Sequence, residues 1–417
     1  MGQTKIQWLN NLRGLAALLV VLHHWGTLFK KAEVQGSTYK IAPDFMFDPA
    51  ISGNFVQSFY TLIEWIKPYT FIFDIELGAA GVLLFFLISG FVISISVERY
   101  HAGEFLVSRV FRLLPTLAFA LLLILGIRLA LIPTGFIETV GFGVKDFVTN
   151  LFLIKDFTWS PSIENAIWTL LVEVKFYALM AGLAYFKRDK LTPGLIMQAA
   201  LAMLVLGTVF AAASTGNIFP SLFERAVAQD AFYLFSFGKA ISDSAGFIVF
   251  MLCGVIAYFY AVGRVKLGQY IILSSVLLCF YVILMLCRQY GFEQYYYVPA
   301  GTKILIIFTA LNIFFVRSLN RRSGDAALTE SARRRSRFNI VGFFADISYP
   351  LYLIHATFGM TLILYCQHIF NNPNIAFAVA IPIIFGLSWI CHKFIERPLA
   401  KKGKIFAKRL TSNLAVD

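Results

Sequence analysis

The sequence predicts an all-α protein, a polytopic membrane bundle of about ten spanning helices, and three observations carry that reading. Of 417 residues, 59% are hydrophobic and only 14% charged, more apolar surface than a soluble chain of this size could bury, so lipid must be the solvent. Several apolar stretches reach the roughly 20 residues that a spanning helix needs. Their runs are continuous and lack the alternation of barrel strands.

Ten stretches mark the spans, at 12–29, 78–97, 115–132, 165–186, 192–213, 241–262, 267–287, 300–316, 346–367 and 375–395. The first has no small-residue cleavage site before the next polar segment, so it reads as a retained span. The net charge of +13 invites a nucleic-acid partner, but in a membrane chain the distribution of charge matters more than its sum, and none is expected. With the amino terminus inside, 24 of the 36 Lys and Arg residues fall on the cytoplasmic side, which places both termini in the cytoplasm. Residues 1–400 then form one membrane domain and 401–417 a basic cytoplasmic tail. The long loops at 30–77 and 133–164 lie outside, where they can cap a site or rest in the interface. The arginine-rich segment 317–337 reads as a loop that anchors topology and touches anionic lipid. Neither an internal repeat nor a broken span is visible. Cys253, Cys279, Cys287, Cys366 and Cys391 lack metal-ligand or paired spacing and read as packing residues, so no metal is expected.

Span one carries Leu12-Arg13-Gly14-Leu15-Ala16-Ala17 and ends in His23-His24-Trp25. Eleven residues make three turns plus about 20°, so Arg13 and His24 share a face, about 16 Å apart along the axis. His23 points about 100° away and reads as packing or interfacial. In span two, Ser89 and Gly90 permit close helix approach or a local kink. Between spans two and three, Arg109 and Arg112 stand three residues apart on one helical face, a pair of forks suited to phosphate oxygens. The topology rule alone would also place arginines there.

Span four reads Trp168-Thr169-Leu170-Leu171-Val172-Glu173-Val174-Lys175-Phe176-Tyr177. A carboxylate there costs about 2.5–3.5 kcal/mol on insertion scales, so Glu173 should face the interior and have a partner. Lys175, two residues on, points to a different side. Glu173 lies about eight residues into the span, a depth comparable to that of His24, and a histidine held by a carboxylate is a general base. In span nine, Ser348-Tyr349-Pro350-Leu351-Tyr352-Leu353-Ile354-His355 has Pro350 freeing backbone groups near Ser348. His355 sits near mid-membrane, where an imidazole needs a hydrogen-bond partner.

Together these segments resemble the acyltransferase 3 family, membrane enzymes that acylate cell-surface sugars and other hydroxyl-bearing acceptors. The resemblance runs from Leu12-Arg13-Gly14-Leu15-Ala16 and His24, through Phe85-Phe86-Leu87-Ile88-Ser89-Gly90-Phe91, Arg109, Arg112 and Pro115, to Trp168–Glu173 with Phe176-Tyr177. It continues through Ser348-Tyr349, Tyr352-Leu353 and His355 to Glu396-Arg397-Pro398. It implies a ten-helix core in the inner membrane and a cytoplasmic acyl-CoA donor, acetyl-CoA being commonest. It also implies a carbohydrate acceptor on the far side, such as lipopolysaccharide or exopolysaccharide. His24 matches the family's essential histidine, as a general base or a transient acyl carrier, Arg13 its partner in the span-one motif, and Glu173 the acid of the span-four motif. Arg109 and Arg112 match the pair expected to hold the donor's phosphates, and Ser89, Trp168, Tyr177, Tyr349 and His355 are candidate substrate or supporting residues. Many relatives have an acid in the span-two motif where this chain reads Gly81-Val82-Leu83-Leu84, so any role for it is absent or moved to Asp74 or Glu76. No hydrolase-like domain is appended, so the chain either completes transfer itself or hands the acyl group to a separate periplasmic partner. A proton-coupled transporter or flippase with His24, Glu173 and His355 as relay is the competing reading, and it predicts broken helices and usually a repeat.

Overall fold

A computed structural model describes residues 4–28, 76–186, 191–214, 232–287, 293–322 and 340–414. Asp74, most of the 30–77 loop and the arginines at 333–337 lie outside the described residues. Among the described residues the chain is helical, with no strand. In chain order the helices are α1 (Thr4–Thr27), α2 (Leu77–Val97), α3 (Ala102–Leu131), α4 (Val144–Leu151), α5 (Lys155–Thr158), α6 (Ile167–Phe186) and α7 (Pro193–Ser214). There follow α8 (Phe232–Ala261), α9 (Leu267–Cys287), α10 (Glu293–Arg322), α11 (Ile340–Ile354), α12 (Thr357–Phe370), α13 (Pro373–Cys391) and α14 (Arg397–Leu414).

Eight of the described helices are long and apolar enough to cross a membrane, and α11 with α12 makes a ninth as a pair bent by 74°. The first expected span, α1, falls short of that apolarity because Asn10, Asn11, Arg13, His23 and His24 sit along it. The expectation of unbroken spans therefore needs correction at span nine. The break does not fall at Pro350, which lies inside α11; it falls at His355 and Ala356, where Ala356 takes φ −78° and ψ −93°.

Two helices form the centre. The spanning windows of α2 and α8 are 78% and 89% buried against 33% for α3, α9 and α10, so the latter face lipid while α2 and α8 face protein. Small residues make that centre possible. A Cβ built at Gly90 would strike the Met251 carbonyl, and one at Gly254 the Leu87 carbonyl, so the two backbones touch at this crossing. This is the close approach expected of Gly90. On the other side of α2, Gly81 lies against the Ala16 carbonyl and the Val20 side chain of α1.

The loop 133–164 folds over one end of the bundle as α4 and α5, stapled by buried Asn150. The Asn150 amide donates to the Asp146 and Pro161 carbonyls, both at 2.8 Å, and its oxygen accepts from Ile163 N–H at 3.1 Å. Lys175 reaches this loop rather than Glu173: its ammonium donates to Asp156 at 2.9 Å, Ser244 at 2.8 Å and the Ala240 carbonyl at 3.0 Å.

Candidate active site

His24 meets His355, not Glu173. His24 Nδ1 lies 2.7 Å from His355 Nε2, with the two rings stacked at 5.0 Å. The direction of this bond follows from the next one. His355 Nδ1 lies 3.0 Å from the Leu351 carbonyl, one turn back on α11, and a carbonyl only accepts. His355 therefore carries its proton on Nδ1 and accepts at Nε2, so in the neutral pair His24 donates from Nδ1. That leaves His24 Nε2 as the nitrogen with the lone pair.

The break in span nine is what presents His355 in this way. Ending α11 exposes a carbonyl and starting α12 exposes an amide, and each needs a partner. Trp25, next to His24, donates its indole N–H to the His355 carbonyl at 3.2 Å. Glu164 accepts from Thr357 N–H through Oε2 and from Ala166 N–H through Oε1, both at 3.2 Å. Asn165 N–H in turn donates to Thr357 Oγ1 at 3.2 Å. Glu164 is fully buried between the first turns of α6 and α12, where helix dipoles favour a negative group. Burial is nonetheless the larger influence and pushes its pKa up to about 7. The sequence signal for Glu164 was a carboxylate just ahead of an apolar run, which marks a helix start but not the second helix it would hold.

Arg13 and Tyr349 line one cavity while His24 meets His355, so α1 and α11 run parallel. Glu164 pairs with Thr357 and, further on, the hydroxyls of Thr169 and Tyr352 meet at 3.0 Å, so α6 runs antiparallel to α11. The empty space that the cavity encloses, part of it continuous with solvent, is about 500 Å³. Val82, Phe85, Phe86 and Leu170 form its apolar wall. Tyr352 joins it to the histidines, its ring 5.8 Å from that of His355.

Glu173 belongs to the other end. Its Oε1 accepts from Tyr177 at 2.5 Å and from Ser89 at 3.2 Å. Arg13 and Arg112 both lie close enough for their charges to interact with Glu173 and Glu396. The expected contact between Glu173 and His24 is thus not formed: helix counting gave the height of each residue on its own span, not the slide of one span along another. Arg109 is 9% exposed; it donates to Ser96 Oγ at 2.5 Å and packs over the rings of Phe105 and Tyr177. Tyr349 donates its hydroxyl to the Leu113 carbonyl at 3.0 Å, tying α11 to α3. Trp168 packs with Phe86, Phe247 and Tyr297 as part of an aromatic cluster.

His23, read as packing or interfacial, has a partner. Its Nδ1 lies 2.5 Å from Glu76 Oε1, while Glu76 Oε2 accepts from Ala79 N–H at 2.8 Å and caps α2. The acid that this chain offers near the start of span two therefore engages His23, and Gly78 leaves room for that imidazole.

An acyltransferase domain matches residues 6–393 of the chain. Nodulation protein 10 of Rhizobium leguminosarum bv. viciae is 30% identical over 189 residues, which is 40% of this chain and 50% of that protein. The exopolysaccharide production protein ExoZ of Rhizobium meliloti (strain 1021) is 23% identical over 350 residues, covering 81% of this chain and 94% of its own length. The chain thus spans half the length of the first relative and nearly all of the second. No solved structure matches it. With the domain covering nearly the whole sequence and helices enough to cross a membrane many times, the protein belongs to the acyltransferase 3 family of membrane acyltransferases.

Proposed function

We propose that this protein is an O-acyltransferase of the cytoplasmic (inner) membrane. It moves an acyl group, an acetyl group in the simplest case, from cytoplasmic acyl-CoA to a hydroxyl of an extracytoplasmic carbohydrate such as a lipopolysaccharide or exopolysaccharide. In this reading the chain crosses the membrane ten times with both termini inside. The single observation that carries it is the His24–His355 pair, tied to the Leu351 carbonyl and packed on Tyr352, which lines the cavity together with Arg13 and Glu173.

The chemistry follows from that geometry. Arg13, Arg109 and Arg112 bind the donor's phosphates, and the wall of Val82, Phe85, Phe86 and Leu170 takes its long arm and keeps water from the thioester. His24 Nε2 takes the proton of the acceptor hydroxyl as that oxygen attacks the thioester carbonyl. The imidazolium that forms keeps its Nδ1 proton in the bond to His355 Nε2. As the carbon–sulfur bond breaks, His24 returns its proton to the departing thiolate, so the enzyme ends as it began. Glu173 is held by Ser89 and Tyr177 beside Arg13, where it orients that arginine instead of the histidine. The likeness to ExoZ, named for exopolysaccharide production, supports a carbohydrate acceptor.

The test is to incubate purified protein with labelled acetyl-CoA and a mixed glycan acceptor. Label should pass to the glycan, and His24→Ala should abolish transfer while the protein still elutes as a folded species. The broken span gives the second reading, a proton-coupled transporter or flippase, its one specific support. Uptake of glycan or lipid-linked precursor into vesicles without acyl transfer would establish it in place of the first.

A further inference from the structure

The helix α14 starts after residue 393, where the family match ends, yet it does not leave the bundle. It lies along α3, the helix that bears Arg109 and Arg112. Gly403 is pressed on Phe111 so closely that a Cβ would overlap that side chain, the rings of Phe111 and Phe406 meet at 5.8 Å, and Ala407 is buried one turn on. These contacts fix the register of α14. Next to Gly403 stands Lys404, whose ammonium lies within electrostatic reach of both Arg112 and Arg109.

Bringing a third cation to two arginines is unfavourable unless something negative joins them. The nearby acids, Glu173, bonded to Ser89 and Tyr177, and Glu396, bonded to His392 Nδ1 at 2.8 Å, offset two charges of a cluster of four cations, Arg13, Arg109, Arg112 and Lys404. Among the described residues, no hydrogen bond or ion pair reaches Arg112 or Lys404. Arg109 is 91% buried, yet its Nε has no hydrogen-bond partner. A buried guanidinium N–H without an acceptor costs stability, and a ligand oxygen would recover it.

We propose that Lys404 is a further ligand-binding residue and that α14 and α3 together form one site for a molecule bearing at least two phosphate groups. This deepens the donor reading and rests on it only for the identity of the ligand; the cationic cluster stands on its own contacts. Arg109 and Arg112 offer forked donors from one side, and Lys404 closes over the phosphates from the other as a point charge. The carboxyl-terminal helix is therefore a wall of the binding site and not merely a basic tail.

The test uses the full chain in nanodiscs of phosphatidylcholine, with adenosine 3′,5′-bisphosphate as probe and calorimetry as readout, so that no turnover is needed. Lys404→Gln should weaken binding about tenfold, and Lys404→Arg should restore it. Lys402→Gln removes the same charge from another face of α14 and should leave the dissociation constant unchanged. Equal weakening by the two glutamine variants would reduce the effect to net charge and overturn the proposal. So would loss of the Lys404 dependence when phosphatidylglycerol is added, since the cluster would then be holding a lipid headgroup. Lys404-dependent binding without acyl transfer would sink the acyltransferase reading and leave this site standing. Acyl transfer with unaltered donor affinity in Lys404→Gln would do the reverse.

Discussion

Replacing Glu164 with Gln should remove a pH dependence from the stability of the fold. The carboxyl is buried between the starts of α6 and α12, and burial outweighs the hydrogen bonds from Ala166, Thr357 and Asn165 that oppose it, raising its pKa from 4.5 to about 7. Of the titratable groups around it, Tyr352 is close enough to feel its charge. The folded state thus holds this proton more tightly than the unfolded state. The stability it contributes is complete below about pH 4.5, falls as pH rises toward 7, and is constant above that. At ~1.4 kcal/mol per pH unit, the interval amounts to roughly 3 kcal/mol. Gln carries no titrating proton, so it should pay a fixed penalty for one poorly matched N–H contact and show no slope from this site. Unfolding in mixed micelles at graded dodecyl sulfate fractions, run at pH 4.5, 5.5, 6.5 and 7.5, measures the difference between the two proteins. Wild type should lose about 3 kcal/mol relative to the variant across that series. A constant difference would refute the reasoning. A wild type that gains on the variant with rising pH would show that the two helix starts, not burial, govern the carboxyl.

Two further outcomes follow from contacts elsewhere. Gly254→Ala sets a Cβ against the backbone of Leu87 and Phe91, neither of which can swing aside, and should cost about 1–3 kcal/mol of stability, read as a lower melting temperature. Gly386→Ala, with nothing within 4 Å of the added Cβ, should not lower the melting temperature. His355→Leu removes the acceptor that fixes the tautomer of His24 and should lower kcat by roughly 10²–10⁴-fold with little change in KM for the donor. An equal loss in kcat and donor affinity would instead mark His355 as a packing residue.

Hydropathy made the spans legible, since each needs a long apolar run, and charge asymmetry supplied an expected orientation. It also made legible that His24, Glu173 and His355 need partners, because lipid offers none. Which partner each would find was not legible. His24 and His355 are 331 residues apart, and the distance between two spans is set by packing, such as the crossing of Gly90 with Gly254, that no single helix encodes. Pro350 was a false landmark for the same reason. A proline removes one N–H, but a break persists only where the exposed groups find partners, and the groups that do are the His355 carbonyl and the Thr357 amide. Glu164 and Trp25, which supply them, carry no motif of their own.

The way the break is held bears on what it is for. A transporter gate works by exchanging partners: backbone groups freed at a broken helix bind cargo or ions in one state and are covered in another. Here the carbonyl of His355 is taken by the indole of Trp25 from α1 and the amide of Thr357 by the carboxyl of Glu164 from the turn ahead of α6. The imidazole that the break exposes is itself tied back to Leu351. Groups already satisfied by protein gain little from cargo. A break secured on both sides is instead a rigid mount, and a rigid mount serves a base, whose nitrogen must stay within hydrogen-bond reach of a hydroxyl while a thioester is open to water. Trp25→Phe separates the two uses. It should leave transport by a gate intact or faster, whereas it should slow acyl transfer by loosening His355, and a variant that transfers acyl groups at the wild-type rate would remove the mount from the mechanism.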